Sequence, residues 1–388
     1  MKGHIRERSP GHWAIVLDLR DPETGKRRRK WHNFTGTKRE AQVECARRVA
    51  ELAVGAYVEP KATTLASFFE RWLEHVRTQV SRRTFERYSE LARKNITPLL
   101  GNTPLSKLQP VSISRAYAKA LSVGRRDGRG GLSPRTVHHM HRILRQALQQ
   151  ALRWQILPRN PADMVKPPRV ERTKSSTLSA EQAAQLLSAL AHSRIYWPTM
   201  IALATGMRRG EILALRWENV DLDRGSVQVV ETIEETKAGL RFKPPKGGKT
   251  RAITLPAFAV AELRCLKREQ AEQLLRLGVR QTAATLVCGR ADGEIHAPLA
   301  VTYEFARFIR QLKDLPQVRF HDLRHSHATQ LLASGVHPKI AQERLGHSSI
   351  SVTLDLYSHA VGSLQDEAAS RVDAALGRAL EIHRAKKG

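Results

Sequence analysis

Residues 321–359 read HDLRHSHATQLLASGVHPKIAQERLGHSSISVTLDLYSH, and this stretch predicts helices that carry a reactive site. His321 and Arg324 are three residues apart, so on a helix they share one face. Arginine is a planar, permanently charged fork that suits phosphate oxygens, and histidine holds or passes a proton near neutral pH. The hydroxyl of Tyr357 can act as a covalent nucleophile once its proton is removed. Together with His347, these residue types indicate attack on a phosphodiester.

The charge of the chain favours the same kind of substrate. Among 388 residues, 65 are basic and 37 acidic, which gives a formal net charge of +28 and a pI of about 10.8. The surplus is spread over the whole chain and is not confined to a tail. This distribution favours a long polyanion, meaning nucleic acid, held along several domains. The alternative is a soluble basic protein with no such partner.

The cysteines and the N-terminus place the chain in a reducing compartment. Cys45, Cys265 and Cys288 are few and dispersed, so they suggest neither a disulfide framework nor a zinc cluster. The N-terminus lacks the apolar core of a signal peptide, and no apolar run is long enough to span a bilayer. We therefore expect a protein of a reducing cytoplasm or nucleoid, with no membrane partner.

Residues 1–60 are predicted to form a three-stranded sheet with one helix. β-forming residues run from His12 to Leu19, and a basic run leads into a second strand around Trp31. Thr37 followed by Glu40 has the spacing of a capping box, which starts a helix that continues to about residue 53. The basic strand could enter a DNA groove. It could equally be a solvated hairpin, and these residues alone do not decide.

Residues 61–166 are predicted to be helical. Apolar residues recur at helical spacing, and Ser133-Pro134 has the form of an N-cap followed by a proline in the first turn. His138, His139 and His141 lie on the helix that follows. They could bind a metal, but no carboxylate or cysteine is near them in the sequence, so we expect them to face DNA or solvent.

Residues 167–177 are polar and contain proline, which is typical of a linker. Residues 178–388 are predicted to form an α-rich domain with a small sheet, starting at a helix that Ser179 caps. Two short strands, 227–230 and 252–255, enclose a basic glycine-rich hairpin end that runs from residue 243 to 251. Gly346 is expected to end a helix and so to let His347 turn away from it.

In chain order, the sequence contains Thr205-Gly206-Met207-Arg208-Arg209-Gly210-Glu211, Lys246-Gly-Gly-Lys249-Thr-Arg251, His321-Asp-Leu-Arg324-His325, Leu345-Gly346-His347 and Tyr357. This order and spacing closely resembles the tyrosine recombinase (phage integrase) family over the whole chain. The resemblance implies a multidomain, mainly α fold with small β-sheets. It assigns residues 1–60 to an arm-type DNA-binding domain, 61–166 to a helical core-binding domain, and 178–388 to a catalytic domain with a C-terminal helical tail.

The resemblance implies the catalytic set Arg208, Lys246, His321, Arg324, His347 and Tyr357. The tyrosine would join to a 3′-phosphate and expel a 5′-hydroxyl, and the two arginines would hold the non-bridging oxygens. The lysine would protonate the leaving oxygen, the first histidine would accept the tyrosine proton, and the second would donate to the phosphate.

Elementary chemistry agrees with these roles. A phosphodiester is an anion whose equatorial charge two arginines can offset, and a tyrosine with a pKa of ~10 needs cations or a base beside it. Lys243 and Lys249 are alternatives to Lys246 as the general acid. Glu211 and Asp322 are expected to orient the arginines. Because the phosphotyrosine keeps the energy of the diester, no ATP, metal or other cofactor is expected.

The expected partners are double-stranded DNA carrying attachment sites, other copies of the chain in a tetramer on that DNA, and an accessory DNA-bending or directionality factor. The tail from Gly362 would pack on a neighbouring protomer or on its own domain. Two rival interpretations are a metal hydrolase built on His321, His325 and His327, and a DNA-binding protein on a recombinase fold without catalysis. The N-terminal domain favours integration and excision of a phage or other mobile element.

Overall fold

The computed structural model describes residues 3–20, 27–53, 63–125, 127–171, 176–347, 349–351, 354, 369–370, 372–377, 380, 383 and 385. The chain divides into two compact units, Met1–Arg172 and Thr173–Gly388. The division falls within the predicted linker, residues 167–177. The predicted class, mainly α with small antiparallel sheets and an N-terminal three-stranded sheet, is confirmed.

The first unit begins with the antiparallel sheet β1 (Gly3–Ser9), β2 (His12–Arg20) and β3 (Arg27–Thr35), followed by α1 (Lys38–Ala53). The predicted capping box starts α1, because the Thr37 amide donates to Glu40 Oε2 (2.8 Å) and the Glu40 amide to Thr37 Oγ1 (3.3 Å). Ile15 and Leu17 of the central strand pack against Cys45 of α1. The predicted turn at residues 21–25 lies outside the described residues.

The remainder of the first unit is helical. Its helices are α2 (Leu65–Arg77), α3 (Arg82–Leu91), α4 (Thr97–Leu100), α5 (Pro110–Val123) and α6 (Pro134–Arg153). Ser133 caps α6 as predicted, since its hydroxyl accepts from the Thr136 amide. The prediction that the α6 histidines face DNA or solvent is wrong for His141. That side chain is buried, and its Nδ1 lies 3.2 Å from the hydroxyl of Tyr117.

The second unit is built mainly from helices, with two small sheets. Its helices are α7 (Ala180–Ala189), α8 (Tyr196–Thr205), α9 (Arg209–Ala214), α10 (Ala257–Arg276), α11 (Pro298–Ile309), α12 (Asp322–Ala333) and α13 (Pro338–Leu345). Ser179 and Gln182 form the predicted capping box of α7. The buried residues of α8, α9, α10 and α11 contribute to one continuous apolar core.

Two small sheets flank this core. β4 (Val220–Asp221), β5 (Ser226–Val229) and β8 (Arg251–Thr254) form one antiparallel sheet, and β6 (Thr232–Thr236) pairs with β7 (Gly239–Lys243) in a separate hairpin. The two strands predicted at 227–230 and 252–255 therefore exist as β5 and β8. The β6–β7 hairpin between them was not predicted, and the glycine-rich loop connects β7 to β8. No helix in the described part of the chain is long and apolar enough to cross a membrane.

Candidate active site

Two helices of the second unit end on glycines in the left-handed conformation, and their C-termini lie in contact. Gly206 (φ 67°) ends α8, and Gly346 (φ 66°) ends α13 as predicted. A Cβ built on Gly206 would lie 2.6 Å from Leu345 Cδ2, so a larger residue would collide with α13. A helix C-terminus exposes backbone carbonyls that have no partner within the helix, and these favour cations. The arginines of the site occupy these carbonyls.

Arg324, on α12, bridges the two helix ends. Its Nη1 donates to the carbonyl of Gly206 (2.7 Å), and its Nη2 donates to the carbonyl of Leu345 (2.6 Å). The side chain is buried, with 3% of its surface exposed. Burial and then the charge of Arg208 lower the pKa of Arg324 to about 9, so the guanidinium stays charged at neutral pH.

Arg208 caps α9 and reaches the next carbonyl of α13. Its Nη2 donates to the carbonyl of Gly346 (2.8 Å), and its Nη1 donates to Glu211 Oε1 (2.8 Å). Its backbone amide donates to Glu211 Oε2 (2.9 Å). Glu211 therefore fixes both the backbone and the guanidinium of Arg208, which is the orienting contact that the sequence predicts for it.

Arg251, the first residue of β8, holds the other side of Glu211. Its Nη2 and Nη1 donate to the two carboxylate oxygens at 2.6 and 3.2 Å, and its Nε donates to the carbonyl of Arg344 (2.9 Å). Burial alone would raise the pKa of Glu211, but the bonds from Arg251 and then Arg208 outweigh it, and the net direction is down. Glu211 is therefore an ionised, buried carboxylate between two guanidinium groups.

Arg344 and His327 fasten the C-terminus of α8. Arg344 donates to the carbonyls of Ala204 (3.1 Å) and Thr254 (2.9 Å) and to His327 Nε2 (3.1 Å). Nδ1 of His327 lies 2.8 Å from the carbonyl of Leu203. Burial, followed by Arg344, lowers the pKa of His327 to about 4, so its ring is neutral. Because protein groups engage both ring nitrogens, we assign His327 a structural role.

His321 and His347 lie beside the arginine pair. His321 precedes α12, and the ring of His325 lies one turn later, edge-to-face with it at 5.3 Å between centroids. Burial, then His325 and Arg324, lower the pKa of His321 to about 4, although part of its side chain is exposed. Burial, then Arg324 and Arg208, lower the pKa of His347 to about 4. Both rings are therefore neutral at pH 7 in the chain without a bound anion.

The arginines differ in how many of their nitrogens the protein already uses. Each guanidinium has three nitrogens with five N–H donors. Arg251 and Arg344 each engage all three nitrogens with described protein groups. Arg208 and Arg324 each engage only their two Nη atoms. Within the described part of the chain, their Nε groups thus keep donor capacity for a ligand.

The structure does not bring Lys246 into this cluster. Lys246 and Lys249 are exposed in the loop between β7 and β8, next to two glycines with positive φ, and neither contacts a described residue through an ion pair or hydrogen bond. Lys243 is held in the β6–β7 hairpin by an ion pair with Glu234. Of the three candidate lysines, Lys243 is the one already committed to a carboxylate.

Asp322 and Tyr357 are the remaining residues that were predicted for the site. Asp322, which was expected to orient the arginines of the site, forms an ion pair with Arg319 (2.9 Å) and accepts from the Arg319 amide. Tyr357 lies outside the described residues, as does most of the tail after residue 354. Among the described residues, no three histidine, cysteine, aspartate or glutamate side chains are grouped as metal ligands would be.

Two residues that organise the site were not among the predicted site residues, Arg251 and Arg344. The second carries a signal that could have been used, because a basic residue in the last turn of a helix is expected to pair with its carbonyl end. For Arg251, the only signal in the sequence is that it follows the glycine-rich loop. Its partner Glu211 lies 40 residues away along the chain.

Two family models match the chain. The phage integrase family matches residues 176–362, and the N-terminal SAM-like domain of phage integrases matches residues 64–121. Together they span more than half of the sequence. The chain belongs to the phage integrase family. The catalytic-domain match includes every residue of the arginine and histidine cluster and also Tyr357.

Two of the relatives of this phage integrase family member match about nine-tenths of its length. A tyrosine recombinase XerC-like protein of Caldanaerobacter subterraneus subsp. tengcongensis is 26% identical over 90% of the chain and 93% of the relative. An integrase of Streptomyces ambofaciens is 27% identical over 89% of the chain and 88% of the relative. The ICEBs1 integrase of Bacillus subtilis is 28% identical over 63% of the chain and 66% of the relative.

Solved structures share the fold. The Tn1549 transposon integrase in complex with a circular intermediate DNA aligns with a TM-score of 0.67 at 20% identity, covering 80% of this chain and 99% of that one. The lambda integrase tetramer bound to a Holliday junction aligns with a TM-score of 0.57 at 20% identity, covering 91% and 94%.

Proposed function

We propose that this phage integrase family member is a site-specific DNA recombinase. It cuts and rejoins DNA through a 3′-phosphotyrosyl intermediate and so integrates or excises a phage or other mobile element. The observation that carries the proposal is the placement of Arg208 and Arg324 near the neutral rings of His321 and His347, with Nε groups that donate to nothing in the described part of the chain. Two fixed cations with donors to spare suit a phosphodiester.

The protein prepares this site before DNA binds. Helix carbonyls fix both guanidinium groups, so little reorganisation is needed when the phosphate enters. A bound phosphate would add negative charge beside His321 and His347 and would raise the pKa of both rings. Their neutral state without an anion therefore suits one ring to accept a proton and the other to donate a hydrogen bond to the phosphate.

The reaction needs only groups of the chain. The oxygen of Tyr357 attacks phosphorus while its proton passes to His321. The bond from phosphorus to the 5′ oxygen breaks, and Lys246 protonates that oxygen as it leaves. The strand is then held as a 3′-phosphotyrosyl ester. Attack by the 5′-hydroxyl of a second duplex releases the tyrosine, and the protons return along the same route.

Lys246 must approach the phosphate for this step. Its loop is exposed and contains Gly247 and Gly248, which both have positive φ and open space where a side chain would lie, so the loop has room to change conformation. We infer that DNA binding draws the loop towards the arginine pair. Lys249 shares the loop and is the alternative donor.

The partners follow from charge and from the relatives. The net charge of +28 favours duplex DNA bearing the attachment sites. Residues 1–60 would bind arm-type sites and residues 61–166 the core site. The lambda integrase structure is a tetramer on a Holliday junction, which supports the same assembly for this chain, with the tail contacting a neighbour. The proposed partners also include an accessory DNA-bending or directionality factor.

The test is covalent trapping on a suicide substrate. A duplex carrying the junction of the element's own DNA is nicked beside the cleavage position, so that the released fragment diffuses away and religation fails. The wild-type chain should give a protein–DNA adduct on a denaturing gel. Tyr357→Phe should give none, while the exposed Tyr303→Phe serves as the matched tyrosine control and should react like wild type.

The same gel separates the rival functions. Adduct formation that continues in EDTA contradicts a metal hydrolase built on His321, His325 and His327. Tight DNA binding without an adduct, on junctions from both ends of the element, would contradict catalysis and favour a binding protein. Loss of the adduct in Tyr303→Phe but not in Tyr357→Phe would reassign the nucleophile.

A further inference from the structure

Arg251 has the least freedom of the arginines that touch Glu211. All three of its guanidinium nitrogens donate to protein groups, two to Glu211 and one to the carbonyl of Arg344. A Cβ built on Gly346 would lie 3.2 Å from its guanidinium, so the plane of Arg251 packs on the glycine turn. Its side chain is 11% exposed. Protein groups therefore engage all three nitrogens of Arg251 and three of its five N–H donors.

Three consecutive carbonyls at the end of α13 each accept from a different arginine. The carbonyl of Arg344 accepts from Arg251, that of Leu345 from Arg324, and that of Gly346 from Arg208. Like charges held this close repel one another, and the negative end of the helix offsets part of that repulsion. The order of the carbonyls fixes the order of the three guanidinium groups.

Arg251 also connects the site to the loop of the candidate lysines. It is the first residue of β8, five residues after Lys246. Its position thus depends on where the loop re-enters the sheet. Hydrogen bonds link it through Glu211 to the guanidinium of Arg208 and through the carbonyl of Arg344 to the turn that carries His347.

We propose that Arg251 is a positioning residue for strand cleavage and acts through Glu211 on Arg208. This inference rests on the recombinase function proposed above. Glu211 receives two donors from Arg251 and two from Arg208, so the carboxylate can hold Arg208 only while Arg251 holds the carboxylate. Without Arg251, a buried carboxylate loses half of its partners and shifts, and Arg208 shifts with it.

Arg251→Lys is the informative substitution because lysine keeps the charge but loses the planar fork. An ammonium can contact one oxygen of Glu211, but it cannot also reach the second oxygen and the carbonyl of Arg344 with the same geometry. We expect adduct formation at saturating DNA to slow by about 10- to 100-fold, since a misplacement of ~1 Å can slow catalysis by about 100-fold. The Kd for DNA should stay within about threefold of wild type, because Arg251 is only 11% exposed and protein groups engage all three of its nitrogens.

A double-mutant cycle with Arg208→Ala tests the route of action. If Arg251 acts through Arg208, then Arg251→Lys should slow the Arg208→Ala enzyme by less than about threefold further. A merely structural effect would multiply the two losses. Arg216→Lys is the matched control, because Arg216 likewise joins a carboxylate, Glu231, to a backbone carbonyl in the same unit. It should leave the cleavage rate within about threefold of wild type.

The outcomes are distinct. If Arg251→Lys slows adduct formation by the same factor in the wild-type and Arg208→Ala enzymes, the inference is overturned and the recombinase function stands. An unchanged rate of adduct formation in the Arg251→Lys single variant has the same meaning. No adduct with the wild-type chain overturns the proposed function and this inference with it. If calorimetry finds that Arg251→Lys does not fold, Glu211→Gln takes its place in the cycle, and additivity with Arg208→Ala there overturns the inference.

Discussion

Gly206→Ala offers a direct test of how the two helix ends are joined. Alanine at φ 67° carries a left-handed penalty of about 1–2 kcal/mol. Its Cβ would also lie 2.6 Å from His327 Cδ2 and from Leu345 Cδ2, and such overpacking adds about 1–3 kcal/mol. We therefore expect the variant to lose roughly 3 kcal/mol of unfolding free energy in the second unit.

Gly278→Ala is the matched control for this prediction. Gly278 has φ 72°, and no atom lies within 4 Å of a Cβ built on it, so alanine there meets only the left-handed penalty of about 1–2 kcal/mol. For a unit of about 200 residues, 1 kcal/mol lowers Tm by roughly 2–4 °C. Calorimetry should show a fall of ~6–12 °C for Gly206→Ala and about half of that for Gly278→Ala.

The rate of adduct formation gives a second measurement on Gly206→Ala and Gly278→Ala. The carbonyl of Gly206 accepts from Arg324 Nη1, so a displaced backbone at this position moves a proposed phosphate ligand. Adduct formation should slow by at least about tenfold in Gly206→Ala and stay unchanged in Gly278→Ala. Equal falls in Tm for the two variants, or an unchanged cleavage rate in Gly206→Ala, would refute the reasoning about the contact between α8 and α13.

Three other properties of the chain can be measured. The folded pKa of about 4 for His321 and His347 lies below the ordinary value, so the unfolded chain binds more protons between about pH 6.5 and 4, and urea unfolding should show stability falling as pH drops through that window. Lys246→Ala should slow adduct formation by about 100-fold or more and Lys249→Ala by less than about tenfold; the reverse order would make Lys249 the general acid. Ser133→Ala removes the N-cap of α6 and should destabilise the first unit by about 1 kcal/mol in calorimetry, whereas no loss would mean that the cap is not needed.

The elements that the sequence predicted well are those fixed by local chemistry. Ser133, Ser179 and Gly346 act within three or four residues of their own position, so the amino-acid pattern alone identifies the helix ends that they form. The β6–β7 hairpin escaped prediction because its strands alternate weakly between buried and exposed positions, and β7 has no fully buried residue. A short strand without an apolar face gives little periodicity to read.

The site was predictable in its residue types but not in its connections. Order and spacing along the chain predict Arg208 and Arg324 as site residues, yet neither reveals that one carboxylate holds Arg208 and Arg251 together. His141 shows the same limit in the opposite direction. The lack of a nearby carboxylate or cysteine predicted that His141 faces DNA or solvent, whereas its ring is buried against Tyr117.

The arginine cluster raises the question of what keeps four guanidinium groups in one place with one buried carboxylate. Backbone carbonyls at the ends of α8 and α13 receive bonds from Arg208, Arg251, Arg324 and Arg344, so the partial negative charge of the helix ends takes the place of further acidic residues. Carbonyl dipoles offset repulsion without cancelling the net charge. The cluster therefore remains positive overall. An added carboxylate would compete with an incoming anion for the guanidinium groups, so holding the arginines by carbonyls preserves their attraction for the proposed phosphate.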